Sequence, residues 1–114
     1  MKVAVFGNTL YAGVMAALLS ESGHFVYCSA QLNQRATAFQ YAFHDKNVSR
    51  LLNQQLKTGF LHYVDFANIP LDIDVYFYSF SQNQQAQAFE LLNELQQRPI
   101  IHQKLMINAS TFRL

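Results

Sequence analysis

Apolar and polar positions along this chain fall into blocks whose period changes from one to the next. Lys2 to Phe6 (KVAVF) is a β-branched, apolar run that stops at Gly7, as a strand buried in a parallel sheet does. From Leu10 to Ser22 the period becomes helical, with Leu10, Val14, Ala17 and Leu18 recurring on one side, and Gly23 offers a left-handed stop. His24 to Ser29 (HFVYCS) predicts a second strand. Strand, tight turn, helix, glycine and strand in this order make one βαβ unit, which requires a right-handed crossover and parallel pairing.

The alternation continues. Gln31 to Phe43 reads as a helix carrying Leu32, Ala36, Phe39 and Phe43, and Asn47 to Lys57 reads as another that ends at Gly59. Phe60 to Val64 predicts a third strand, Pro70 marks a connection, and Ile73 to Phe80 (IDVYFYSF) predicts a fourth strand rich in aromatic and β-branched residues. Asn83 to Gln97 predicts a helix with Ala86, Phe89, Leu92 and Leu95 on one stripe, closed by Pro99, and Lys104 to Ala109 predicts the last strand. The expectation is a single α/β domain over residues 1–114, a Rossmann-like three-layer fold. Its mostly parallel sheet would have about five strands in the order 3-2-1-4-5.

Composition narrows the function classes. A chain of 114 residues, 51% hydrophobic, can bury one core but leaves no room for a second domain. A formal net charge of +1 with only 13% charged residues, the basic ones scattered in sequence, argues against a nucleic-acid or anionic membrane partner. A surface built largely from Asn and Gln keeps molecules apart less well than net charge does, so a homo-oligomer or a protein partner is expected. The single cysteine, Cys28, excludes an internal disulfide and fits a reducing, cytoplasmic setting. Lys2 ahead of apolar residues suggests a secretory signal, but Gly7, Asn8 and Thr9 break the run, and no stretch reaches the roughly 18 apolar residues of a membrane span.

The candidate chemistry lies at the first turn. In a dinucleotide-binding fold the pyrophosphate sits at the amino end of the first helix, facing free backbone N–H groups and the helix dipole. The usual turn is G-x-G-x-x-G/A, and this chain reads Gly7, Asn8, Thr9, Leu10, Tyr11, Ala12. Gly7 supplies the first glycine and Ala12 the small third residue. Thr9 holds the second position, where a β-branched side chain takes space the pyrophosphate needs. The acidic residue expected at the end of the second strand, which would bind the adenosine ribose, is replaced by Ala30, with Gln31 after it offering only a neutral hydrogen bond.

These residues carry a resemblance to the amino-terminal NAD-binding domain of the UDP-glucose/GDP-mannose dehydrogenase family. Met1, Lys2, Val5, Phe6 and Gly7, then Gly23, His24, Val26 and Cys28, fall in the register of that family's M-K-I-x-V-F-G and G-H-x-V-x-C segments, and Ala30 falls where it has its ribose-binding Asp. Leu51, Leu52, Gly59 and Leu61, the pair Asp74-Val75, and Ser110-Thr111 follow the later plan more loosely. Ser81-Gln82-Asn83 stands where the family has a cofactor-facing Gly-Thr-Pro. The resemblance implies a cofactor domain. The family's catalytic Cys, Lys and Asn belong to segments beyond residue 114, so the chain is not a complete dehydrogenase and no residue here is catalytic.

Other constellations are bland. His24, His44, His62 and His102 show no metal-ligand spacing, Cys28 reads as a small buried residue, and Glu90 with Glu94 reads as a solvated helix face. Tyr76, Tyr78 and Phe80 alternate against Phe77, and Phe39, Tyr41 and Phe43 alternate likewise; these aromatics suit a core first and a partner surface second. Three readings follow. The chain is a non-catalytic, degenerate pseudoenzyme module working through protein interaction or self-association; or it binds NAD or another nucleotide at residues 7–12; or it is the cofactor-domain fragment of a longer dehydrogenase-like polypeptide, ending after Ser110-Thr111 where the family continues.

Overall fold

The computed structural model describes residues 1–7, 9–29, 45–64, 68–82, 85–97 and 105–108. In chain order these form β1 (Lys2–Phe6), α1 (Leu10–Glu21), β2 (Phe25–Ser29), α2 (Lys46–Thr58), β3 (Leu61–Tyr63), β4 (Val75–Tyr78), α3 (Gln85–Gln96) and β5 (Leu105–Asn108). The sheet runs β3-β2-β1-β4-β5, and every neighbouring pair is parallel. This is the α/β arrangement of Rossmann-like domains, with β1 central and the chain switching sides of it after β3. The predicted helix over residues 31–43, the aromatics Phe39, Tyr41 and Phe43, and Ser110-Thr111 lie outside the described residues.

Alternation along the strands sorts the core into two layers. Val3 and Val5 of β1, Val26 and Cys28 of β2 and Phe77 of β4 pack with Ala12, Ala16 and Ala17 of α1 and Leu52 of α2 on one face. Ala4, Phe6, Tyr76, Tyr78 and Phe80 pack with Ile69, Ile73 and Leu95 of α3 on the other. A period of two along β1 and β4 therefore decides which helix each residue meets. The aromatic row Tyr76, Tyr78 and Phe80 is buried, which places it in the core and removes it from any partner surface.

Two predicted stripes are corrected. On α1 the buried line is Ala12, Gly13, Ala16, Ala17 and Ser20, while Leu18 is exposed. Small residues let the helix lie close on the sheet, and buried Ser20 satisfies its hydroxyl by donating to the Ala16 carbonyl at 2.6 Å. On α3, Ala86 and Phe89 are exposed and Leu95 is buried. An i, i+3 stripe drifts around a helix of 3.6 residues per turn, so Phe89 stands about 120° away from Leu95.

The helix ends follow local chemistry. Asp45 caps α2 by accepting from the Asn47 and Val48 N–H groups at 2.9 and 3.1 Å, and Gly59 closes it at φ 85°. At the amino end of the strands the Asp74 carboxylate accepts from the Lys2 N–H at 2.9 Å, and Asp72 pairs with the Lys2 ammonium at 2.6 Å. No helix among the described residues is long and apolar enough to cross a membrane.

Candidate functional site

Open parallel sheets bind ligands at the carboxyl ends of their strands where the chain switches sides. Here that point lies between the turn after β1 and the segment after β4. The two meet directly. Gly7 has φ 123°, and a Cβ at its position would overlap the Ser79 carbonyl oxygen, so only glycine fits. The Ser79 N–H donates to the Phe6 carbonyl at 3.0 Å, which extends the β1–β4 pairing to the edge of the turn.

Thr9 completes the closure. It is the N-cap of α1, with extended backbone at φ −80° and ψ 159°, and its hydroxyl oxygen accepts from the Ala12 N–H at 3.1 Å. The same hydroxyl lies 2.7 Å from the Ser79 hydroxyl and 3.3 Å from the Ser79 carbonyl oxygen. The Gly13 N–H reaches the Thr9 carbonyl at 3.3 Å. The Ala12 N–H, one of the free donors of this helix end, is thereby taken by Thr9. Leu10 and Tyr11 are half-buried, and the Tyr11 ring stacks on Phe77 with centroids 6.0 Å apart, so the first turn of α1 leans on β4 rather than opening away from it.

Of the turn residues, Gly7 follows β1, Thr9 caps α1, and Leu10, Tyr11 and Ala12 form its first turn. Asn8, Ala30, Gln31 and Asn83 lie outside the described residues. Ser81 and Gln82 follow directly on the strand end that carries Ser79. At the second glycine position of the motif stands Thr9, whose hydroxyl takes the Ala12 N–H and meets the Ser79 hydroxyl. Ser79 was not among the sequence candidates, although a Thr two residues after a strand-ending glycine is itself a capping signal.

No family model matches the chain, and the search of curated proteins gave no match. The site must be read from its own chemistry.

Cys28 is fully buried, and burial pushes its thiol far above the usual range of about 9.0. Its Sγ faces the His62 carbonyl at 3.4 Å. Tyr63, paired with Cys28 across β2 and β3, is likewise pushed up, first by burial and then by the neighbouring Cys28. A thiol that is neutral in the fold and ionises once unfolded stabilises fully below its unfolded pKa. That contribution is lost as pH rises, at about 1.4 kcal/mol per unit between the unfolded and folded values. Cys28 is therefore expected to resist thiol reagents in the native protein and to react promptly in denaturant; native-state labelling at the denatured rate would contradict its burial. Among the described residues no group of His, Cys, Asp and Glu is placed to hold a metal ion.

Proposed function

We propose that this chain is a non-catalytic, degenerate relative of nucleotide-sugar-dehydrogenase cofactor domains that works through protein interaction or self-association. The observation that carries the reading is Thr9, whose hydroxyl caps α1 and meets Ser79 in the crevice where such domains hold a pyrophosphate. Retention of Gly7 does not weigh against it. The close approach of Ser79 requires glycine there whether or not a nucleotide binds.

A second reading, binding of NAD or another nucleotide at residues 7–12, is favoured by the parallel sheet and by Ala12, whose small side chain is fully buried at the helix start. Calorimetric titration separates the two. With NAD and then UDP-sugars at concentrations that detect millimolar affinity, the folded protein is expected to give no saturable heat. Saturable binding would sink the non-catalytic reading.

Thr9→Gly is the informative variant. Glycine is a tolerable cap, so the cost is chiefly the link to Ser79, about 1 kcal/mol in a urea melt. NAD binding that appears only in Thr9→Gly would identify Thr9 as the block.

A further inference from the structure

The outer faces of α2 and α3 carry opposite charge on opposite sides of the same sheet. On α2, Lys46, Arg50 and Lys57 are exposed at positions that share one helix side, with Asn53 and Gln54 between them, and they line an open groove of about 620 Å³. The helix contains no acidic residue, and the Asp45 carboxylate that precedes it is engaged in capping. On α3 the exposed side presents Phe89, Glu90, Asn93 and Glu94, and that helix contains no basic residue. Phe89 is 67% exposed, the most exposed large apolar side chain among the described residues. The sequence reading of scattered cations thus gives way to a row along α2.

We propose that a second copy of this chain is the partner: the Phe89–Glu94 face of one α3 docks on the Lys46–Arg50–Lys57 face of a neighbour's α2. This rests on the interaction reading above and names its partner. Charge complementarity selects the occupant. Glu94 supplies the carboxylate, and Lys46 and Arg50, about 6 Å apart along the axis of α2, supply the cations it meets. Phe89 supplies apolar area beside the charges, and Asn53, Gln54 and Asn93 supply neutral donors and acceptors around them. The two faces cannot meet within one molecule, because Leu52 of α2 and Leu95 of α3 belong to cores on opposite faces of the sheet. The contact is therefore heterologous, and a pair of copies keeps one α2 face and one α3 face for further neighbours.

Sedimentation of the full chain tests it. The weight-average mass is expected to rise with concentration past the dimer at low salt and to fall back as salt screens the exposed charges. Arg50→Ser/Lys57→Ser disables only the α2 face, and Phe89→Ser/Glu94→Ser only the α3 face. Each variant alone, shown folded by circular dichroism, is expected to be monomeric, with association weakened at least about tenfold. Mixed, they are expected to form a one-to-one pair and stop there, since one intact face of each kind remains.

A wild-type monomer at all concentrations, association untouched by both variants, or a mixture that stays monomeric would overturn the proposal. A monomer that binds duplex DNA through Arg50 and Lys57 would do so too, by assigning the α2 face to a polyanion. A monomer that also binds no NAD leaves the non-catalytic reading with a different protein as its partner, whereas saturable NAD binding overturns that reading whatever the oligomeric state.

Discussion

Gly7→Ala is expected to destabilise the protein by about 3–5 kcal/mol, a large part of the roughly 5–15 kcal/mol that holds a domain of this size together. Two costs add. Gly7 sits at φ 123°, where an L side chain is strained, and the new methyl group would collide with the Ser79 backbone. Relief would require β1 and β4 to part at their carboxyl ends, breaking the Ser79 N–H bond to Phe6 and pulling Ser79 from Thr9. Urea unfolding measures the loss directly. A change below 1 kcal/mol would show that the two strand ends do not meet as described. The result also governs any test of nucleotide binding: lost affinity in a Gly7 variant would report unfolding as readily as a phosphate contact, whereas Thr9→Gly alters the same turn without moving the strands.

The first βαβ unit was legible because each element has its own local signal. KVAVF ends at a glycine, the helix is bounded by Gly23, and the paired strands Lys2–Phe6 and Phe25–Ser29 follow the expected spacing. The order β3-β2-β1-β4 follows from that unit and from a chain that crosses to the other side of β1. Which side of a helix faces the sheet was less legible. Hydrophobicity favours Leu18 and Phe89, yet α1 turns its alanines inward for close approach and α3 turns Leu95 inward, so tertiary fit overrides the larger apolar residues. The Thr9–Ser79 link joins residues far apart in sequence, and no local pattern contains it. The α2 cations look scattered in sequence because their neighbours are amides; only the helical turn aligns them.

Tyr76→Ala is expected to cost about 3–5 kcal/mol, whereas Phe89→Ser should stay within about 0.5 kcal/mol of wild type. Tyr76 is 1% exposed, lies between Ala4 of β1 and Met106 of β5 in the sheet register, and packs in the layer that contains Leu95. Truncation leaves a ring-sized void at the sheet centre that neighbouring strands, held by parallel ladders on both sides, cannot close. Phe89 has little to lose, since its ring is already mostly in water. The pair separates two roles for aromatic residues that sequence alone leaves mixed. Urea melts should move with Tyr76 and not with Phe89, while concentration-dependent mass should move with Phe89. A Tyr76 variant that keeps its stability and loses association would place β4 at an interface and contradict the burial of its aromatic row.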